Sequence, residues 1–166
     1  MKMKFNLDRS QLTGVRRLLP LLGITEGEGI EVTAVRGERI GVSLSDGRAT
    51  IFYRERVQLY RGLGILAERA RLSDEFDITE DGHFEFISHM LDASRCAVPR
   101  VPTVKKLLDH LALMGYNAMM LYTEDTIELP ERPYFGHLRG RYTAEEIREI
   151  DDYAYEYGIE VIPCLE

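Results

Sequence analysis

A chain of 166 residues is long enough for one substantial hydrophobic core or two small ones. Its 21 basic and 28 acidic residues give a formal net charge of −7, which argues against a protein built to grip the phosphate backbone of nucleic acids. Hydrophobic residues make up 45% and charged residues 30% of the chain, a composition typical of soluble globular proteins rather than disordered ones.

The sequence offers no membrane segment and no cofactor motif. No window approaches the roughly 18 apolar residues that a membrane helix requires, and the start of the chain lacks the apolar stretch of a signal peptide. Cys96 and Cys164 are too few for a disulfide framework, so we expect a reduced, cytoplasmic protein. The four histidines are scattered without a metal-site spacing, and we expect neither a metal nor a cofactor.

Residues 1–85 predict a small α+β domain. Asp8 followed by Gln11 predicts a capping box at the start of a helix, which Pro20 should kink or end. Three segments alternate apolar and polar residues with the period of a strand, over residues 30–34, 40–44 and 49–53. The dipeptide Asp46-Gly47 between the last two is a strong hairpin signal. Helical spacing over residues 57–70 and a short strand at Phe76–Thr79 complete a domain of antiparallel strands and two helices.

Residues 86–166 have a different rhythm, strand–helix–strand–helix–strand. A strand over residues 84–91 precedes a helix that starts near Thr103 and has Gly115 as its C-cap. The apolar run of residues 117–122 is typical of a buried parallel strand. A second helix begins with the capping box of Thr143 and Glu146, and residues 159–164 form a third strand. Repeated βαβ units predict a parallel sheet with right-handed crossovers.

We interpret this segment as the incomplete start of a (β/α)₈ TIM barrel, because the third strand is followed by no covering helix and a barrel needs about 250 residues. An open three-stranded α/β domain is the alternative. Exposed parallel edges recruit partners, so we also expect self-association through the unfinished sheet.

In a parallel barrel, the groups just past the carboxyl ends of the strands face the active-site mouth. These groups are Asp92 and Arg95 after the first strand, Glu124 and Asp125 after the second, and Glu166 after the third. An arginine and several carboxylates at one rim suit a ligand rich in hydroxyl groups. Alternatively, Asp92 and Arg95 pair with each other and merely fix a turn; their spacing leaves both readings open.

The same residues carry a resemblance to a known family. The motif MLD-x-SR spans Met90 to Arg95, a Thr-acid-Asp strand end follows at residues 123–125, and G-x-YT-x-EEI-x-EI leads into GIEVIP over residues 140–163. Together they resemble the opening of the catalytic barrel of family 20 glycoside hydrolases, the β-N-acetylhexosaminidases. The resemblance covers about residues 86–166, and such enzymes carry an α+β accessory domain ahead of the barrel.

The resemblance implies roles for the rim residues. Arg95 corresponds to the arginine that binds the ring hydroxyls of a terminal N-acetylhexosamine, and Glu124 and Asp125 correspond to an acidic pair that supports the substrate. Asp92 is expected to hold Arg95, and Glu166 lies just before the segment of an active-site histidine. The family hydrolyses exo-fashion with retention, using the 2-acetamido oxygen of the substrate as nucleophile. Its catalytic Asp-Glu pair has no counterpart within these residues, so we expect the isolated chain to be inactive.

The sequence also departs from the family pattern. The second strand commonly ends in two aspartates and a tryptophan, whereas this chain has Glu124-Asp125 and contains no tryptophan at all.

Two classes of function therefore stay open. One is an N-terminal fragment of a β-N-acetylhexosaminidase with a glycan substrate, and the other is a non-enzymatic α/β module for protein interaction or weak sugar binding.

Overall fold

The computed structural model describes residues 1–95 and 97–165. Nine strands lie in these residues: β1 (Lys2–Asn6), β2 (Thr25–Glu26), β3 (Ile30–Arg36), β4 (Gly41–Ser45), β5 (Arg48–Tyr53), β6 (Phe76–Thr79), β7 (Ser88–Asp92), β8 (Ala118–Tyr122) and β9 (Glu160–Cys164). They are accompanied by four helices: α1 (Arg9–Leu22), α2 (Arg56–Arg69), α3 (Val101–Met114) and α4 (Ala144–Tyr157). No helix in the described part of the chain is long and apolar enough to cross a membrane.

The first sheet contains six strands in the order β2-β1-β3-β5-β4-β6. The predicted hairpin is confirmed: β4 and β5 pair antiparallel around Asp46 and Gly47, both of which have positive φ as a type I′ turn requires. The prediction of an antiparallel sheet is wrong in part, because β1 pairs parallel with β2 and β3, and β3 pairs parallel with β5. Strand β1 was not predicted, although Met3 and Phe5 alternate with polar neighbours and are buried.

Helix α1 begins where the sequence predicts. The Gln11 side-chain oxygen accepts a hydrogen bond of 3.0 Å from the Asp8 N–H, which is half of the capping box. Pro20 lies inside the helix, which continues to Leu22 before Gly23 ends it with φ 62°. The missing N–H of Pro20 removes one hydrogen bond, the one to the Arg16 carbonyl, and the helix ends two residues later.

The second sheet confirms the predicted βαβαβ order. Strands β7, β8 and β9 are parallel neighbours in that order, with α3 and α4 as the two crossovers. Gly115 and Gly158 end the helices with φ 81° and 76°, and Thr143 and Glu146 form the predicted capping box. Strand β7 starts at Ser88, four residues later than predicted.

The two faces of the second sheet differ. Leu121, Val161 and Pro163 lie on the helix side, where they border α4. The strand register places Met90, Met120 and Ile162 side by side on the opposite face, followed by Asp92, Tyr122 and Cys164 at the carboxyl ends. Met90 is 53% exposed, so this face is open to solvent in the described chain.

The helices of both halves share one hydrophobic core, which runs from Met3 to Ile159. Tyr60 of α2 is fully buried, packs edge-to-face on Tyr157 of α4 at 4.8 Å, and donates a hydrogen bond of 3.0 Å to the Glu156 carbonyl. Arg17 of α1 lies 4.0 Å above the Tyr153 ring and pairs with the Glu156 carboxylate at 2.7 Å. The division into residues 1–85 and 86–166 stays a prediction; the first sheet ends at Thr79 and the second begins at Ser88.

Candidate functional site

Asp92 closes the turn that follows β7. Its Oδ1 atom accepts hydrogen bonds from the Ser94 N–H and the Ser94 hydroxyl, both at 2.9 Å, and from the Arg95 N–H at 3.2 Å. The hydrogen bonds from Ser94 hold the pKa of the Asp92 carboxyl below its ordinary value. The prediction that Asp92 fixes a turn is therefore confirmed. The second carboxylate oxygen, Oδ2, faces the Arg95 side chain.

Arg95 projects from this turn toward the neighbouring strand. Its Nη1 lies 3.5 Å from Asp92 Oδ2, and its guanidinium carbon lies 5.4 Å from the centre of the Tyr122 ring. The Arg95 side chain is 69% exposed, so its donors remain accessible to a ligand. The predicted pairing of Asp92 with Arg95 is confirmed, and the ligand-binding role of Arg95 stays a prediction.

The end of β8 brings Glu124 beside this pair through a residue that the sequence analysis missed. The Tyr122 hydroxyl donates a hydrogen bond of 3.0 Å to Glu124 Oε1. The register pairs Tyr122 with Asp92, so both side chains leave the sheet on the same face. That register could have singled out Tyr122, since the last residues of adjacent parallel strands meet at one edge.

Asp125 turns to the loop that follows β8. Its Oδ1 atom pairs with Arg139 Nη1 at 2.8 Å, a contact between residues 14 positions apart that the sequence did not predict. Glu124, Asp125, Phe135 and Arg139 line a cavity of about 370 Å³. Carboxylates, a guanidinium and an aromatic ring together can bind a ligand that has both hydroxyl groups and an apolar face.

The loop over residues 123–142 is closed by contacts to its own backbone carbonyls. Gly136 has φ 63°, and a Cβ atom there would lie 1.9 Å from the Asp125 carbonyl oxygen, so only glycine fits. Arg141 donates a hydrogen bond of 2.8 Å to the Phe135 carbonyl, and the Tyr142 N–H donates one of 2.9 Å to the Thr126 carbonyl. These contacts fix where Asp125 and Arg139 stand relative to β8.

The structure thus brings Asp92, Arg95, Glu124 and Asp125 to the carboxyl ends of two adjacent strands. Glu166, expected to support the site, lies outside the described residues, as does Cys96. Within the described ranges, no group of three or more His, Cys, Asp or Glu side chains could hold a metal ion.

Comparison with known proteins identifies structures of the same fold. The sequence matches no protein-family model and no curated protein. The GH20 β-N-acetylhexosaminidase from Streptomyces coelicolor A3(2) is 24% identical to this chain, with a TM-score of 0.74. The alignment covers 98% of this chain and 41% of that enzyme's chain. The GH20 exo β-N-acetylglucosaminidase from Vibrio harveyi, solved with N-acetylglucosamine, is 19% identical over 98% of this chain and 32% of its own, with a TM-score of 0.75.

A third similar structure is a mutant Streptomyces plicatus β-hexosaminidase in complex with product, 23% identical over 98% of this chain and 40% of its own, with a TM-score of 0.75. The chain therefore spans about a third to two fifths of the length of these solved proteins. Nearly every residue of this chain, from the six-stranded sheet to β9, takes part in a fold shared with GH20 β-N-acetylhexosaminidases.

Proposed function

We propose that this chain is the N-terminal part of a family 20 glycoside hydrolase, an exo-acting β-N-acetylhexosaminidase of the cytoplasm. Residues 1–85 are its accessory domain, and residues 86–166 open its (β/α)₈ barrel. One observation carries the proposal: a fold shared with hexosaminidases over 98% of the chain sets Arg95, Glu124 and their neighbours at the carboxyl ends of parallel strands, where barrel enzymes bind substrate.

The exposed face of the rim has the chemistry of sugar recognition. The Arg95 guanidinium offers several N–H donors, and the carboxylates of Glu124 and Asp125 accept hydrogen bonds from hydroxyl groups. Asp92 Oδ2 forms an ion pair with Arg95 Nη1 at 3.5 Å. A terminal N-acetylhexosamine of a glycan is the substrate that these groups fit in the proposed enzyme.

In this proposal the bond-breaking groups come from outside the 166 residues. The 2-acetamido oxygen of the substrate attacks its own anomeric carbon, a glutamic acid protonates the leaving oxygen, and an aspartate orients the acetamido group. Residues of this chain bind and orient the sugar. The isolated chain is therefore inactive, and the open edges of β7 and β9 favour self-association when the rest of the barrel is absent.

The experiment compares two arginine substitutions in the full-length gene product that contains this segment. Arg95→Ala should lower kcat/KM for a chromogenic N-acetyl-β-glucosaminide about 100-fold, the effect of losing charge-assisted hydrogen bonds worth about 3 kcal/mol. Arg48→Ala changes an exposed arginine of β5 and should leave activity unchanged. Equal activity of the two variants would contradict the role of Arg95.

The isolated chain supplies the second arm. We expect no turnover by the pure 166-residue protein, and measurable hydrolysis would overturn its proposed inactivity. A full-length product without hydrolase activity would favour the non-enzymatic module instead.

A further inference from the structure

Tyr122 occupies a central position at the rim. It is the last residue of β8, the middle strand of the second sheet, and its register partners are Asp92 on β7 and Cys164 on β9. Its side chain therefore leaves the sheet on the face that carries Asp92, between the strand ends from which the candidate sugar-binding groups project.

The Tyr122 side chain contacts two of those groups with two different parts. Its hydroxyl donates to Glu124 Oε1 at 3.0 Å, and its ring lies 5.4 Å from the Arg95 guanidinium carbon. The first contact is a hydrogen bond to a charged acceptor, and the second lies within the distance at which a cation is attracted to an aromatic face. One rigid side chain thus connects the end of β8 with the turn after β7.

This connection matters because Arg95 and Glu124 are long side chains. An exposed arginine samples many rotamers, and ordering it on ligand binding costs affinity. Asp92 holds one end of the guanidinium at 3.5 Å, while the Tyr122 ring supports its face. The same ring carries the hydroxyl that donates to Glu124, so one side chain contacts both groups.

We propose that Tyr122 is a positioning residue that pre-organises Arg95 and Glu124 for binding of a sugar's hydroxyl groups. The proposal rests on the proposed function and adds to it a residue that need not contact the substrate. It predicts that the tyrosine ring and the tyrosine hydroxyl have separable effects, the ring on Arg95 and the hydroxyl on Glu124.

The first test needs no ligand. In the 166-residue chain, the Arg95 Nε–H signal is followed by NMR in Tyr122→Phe and Tyr122→Leu, with Tyr155→Phe on the exposed face of α4 as the matched control. Tyr122→Leu should shift the Arg95 signal and increase the mobility of the side chain, whereas Tyr122→Phe and the control should leave both unchanged. An Arg95 signal identical in wild type and Tyr122→Leu would overturn the proposal.

The second test measures the N-acetylglucosamine affinity of the full-length gene product by titration in a double-mutant cycle. Tyr122→Phe should weaken binding about three- to tenfold, the range expected for a lost hydrogen bond. Added to Glu124→Gln, the same change should have less than about a twofold further effect, because the hydroxyl acts through the Glu124 carboxylate. A merely structural role would lower the unfolding midpoint and give independent effects on affinity.

The two hypotheses fail differently. Independent, multiplicative effects of Tyr122→Phe and Glu124→Gln would refute the positioning role while leaving the sugar site intact. Absence of sugar binding by the wild type would refute the proposed function, and the Arg95 NMR comparison would still decide whether Tyr122 holds that arginine.

Discussion

Asp109 of α3 is a residue whose removal should destabilise the protein, because two tyrosine hydroxyls of α4 depend on it. A single oxygen, Asp109 Oδ1, accepts hydrogen bonds of 2.7 Å from the hydroxyls of both Tyr153 and Tyr157 on α4. Tyr157 is fully buried, and burial together with the hydrogen bond to Asp109 raises the pKa of its hydroxyl. The buried Tyr157 hydroxyl has therefore exchanged water for this one acceptor, which it shares with the partly exposed Tyr153.

Asp109→Ala leaves two hydroxyl donors without that acceptor. A buried donor without a partner costs about 1–3 kcal/mol, and the partly exposed Tyr153 can recover part of its loss from water, so we expect about 3 kcal/mol. Tyr157→Phe instead removes one donor and leaves Asp109 with Tyr153, so it should cost only about 1 kcal/mol. Asp152→Ala, an exposed acid on α4, should change stability by less than about 0.5 kcal/mol.

Urea unfolding of the 166-residue chain measures these differences. The midpoint should fall in the order Asp152→Ala, Tyr157→Phe, Asp109→Ala, with the slope m unchanged in all three variants. A cost of Asp109→Ala no larger than that of Tyr157→Phe would refute the reasoning, because the unpartnered hydroxyls would then carry no penalty.

Two further predictions concern a helix contact and the rim. Gly14→Ala should destabilise the protein by about 1 kcal/mol or more despite its gain in helix propensity, because the new Cβ would lie 2.5 Å from the Tyr60 hydroxyl. Gly64→Ala, whose Cβ would lie 3.5 Å from its nearest neighbour, should instead stabilise the protein by about 0.5–1 kcal/mol. Thermal or urea unfolding measures both changes, and equal effects would contradict the packing argument. The lowered pKa of Asp92 means that its turn is intact above the ordinary pKa of 3.8 and is lost as the pH falls through the lower pKa. The Ser94 amide signal in an NMR titration should therefore change with a midpoint below pH 3.8. A midpoint at or above that pH would contradict the hydrogen bonds to Asp92.

The sequence predicted the elements that depend on local patterns. The capping box of Thr143 and Glu146, the C-cap Gly115 and the Asp46-Gly47 turn are found where short-range signals place them. Such signals are reliable because their hydrogen bonds close within a few residues. The βαβαβ order of the second sheet follows from them.

Pairings between distant residues could not be predicted in this way. The sequence suggested antiparallel neighbours, yet β3 pairs with β5 and β4 lies on the far side of β5. Arg139 reaches Asp125 only because the loop folds back, with Gly136 pressed against the Asp125 carbonyl. Neither contact leaves a periodic trace in the sequence.

The rim shows where the two kinds of information divide. The sequence by itself predicted that Asp92, Arg95, Glu124 and Asp125 lie at the ends of two parallel strands, because an apolar run gives way to polar residues at each place. Only the tertiary structure decided how they interact: Asp92 closes its own turn, and Tyr122 stands between Arg95 and Glu124. That arrangement depends on the register of β7 against β8, which is set by side-chain packing between residues far apart in the sequence.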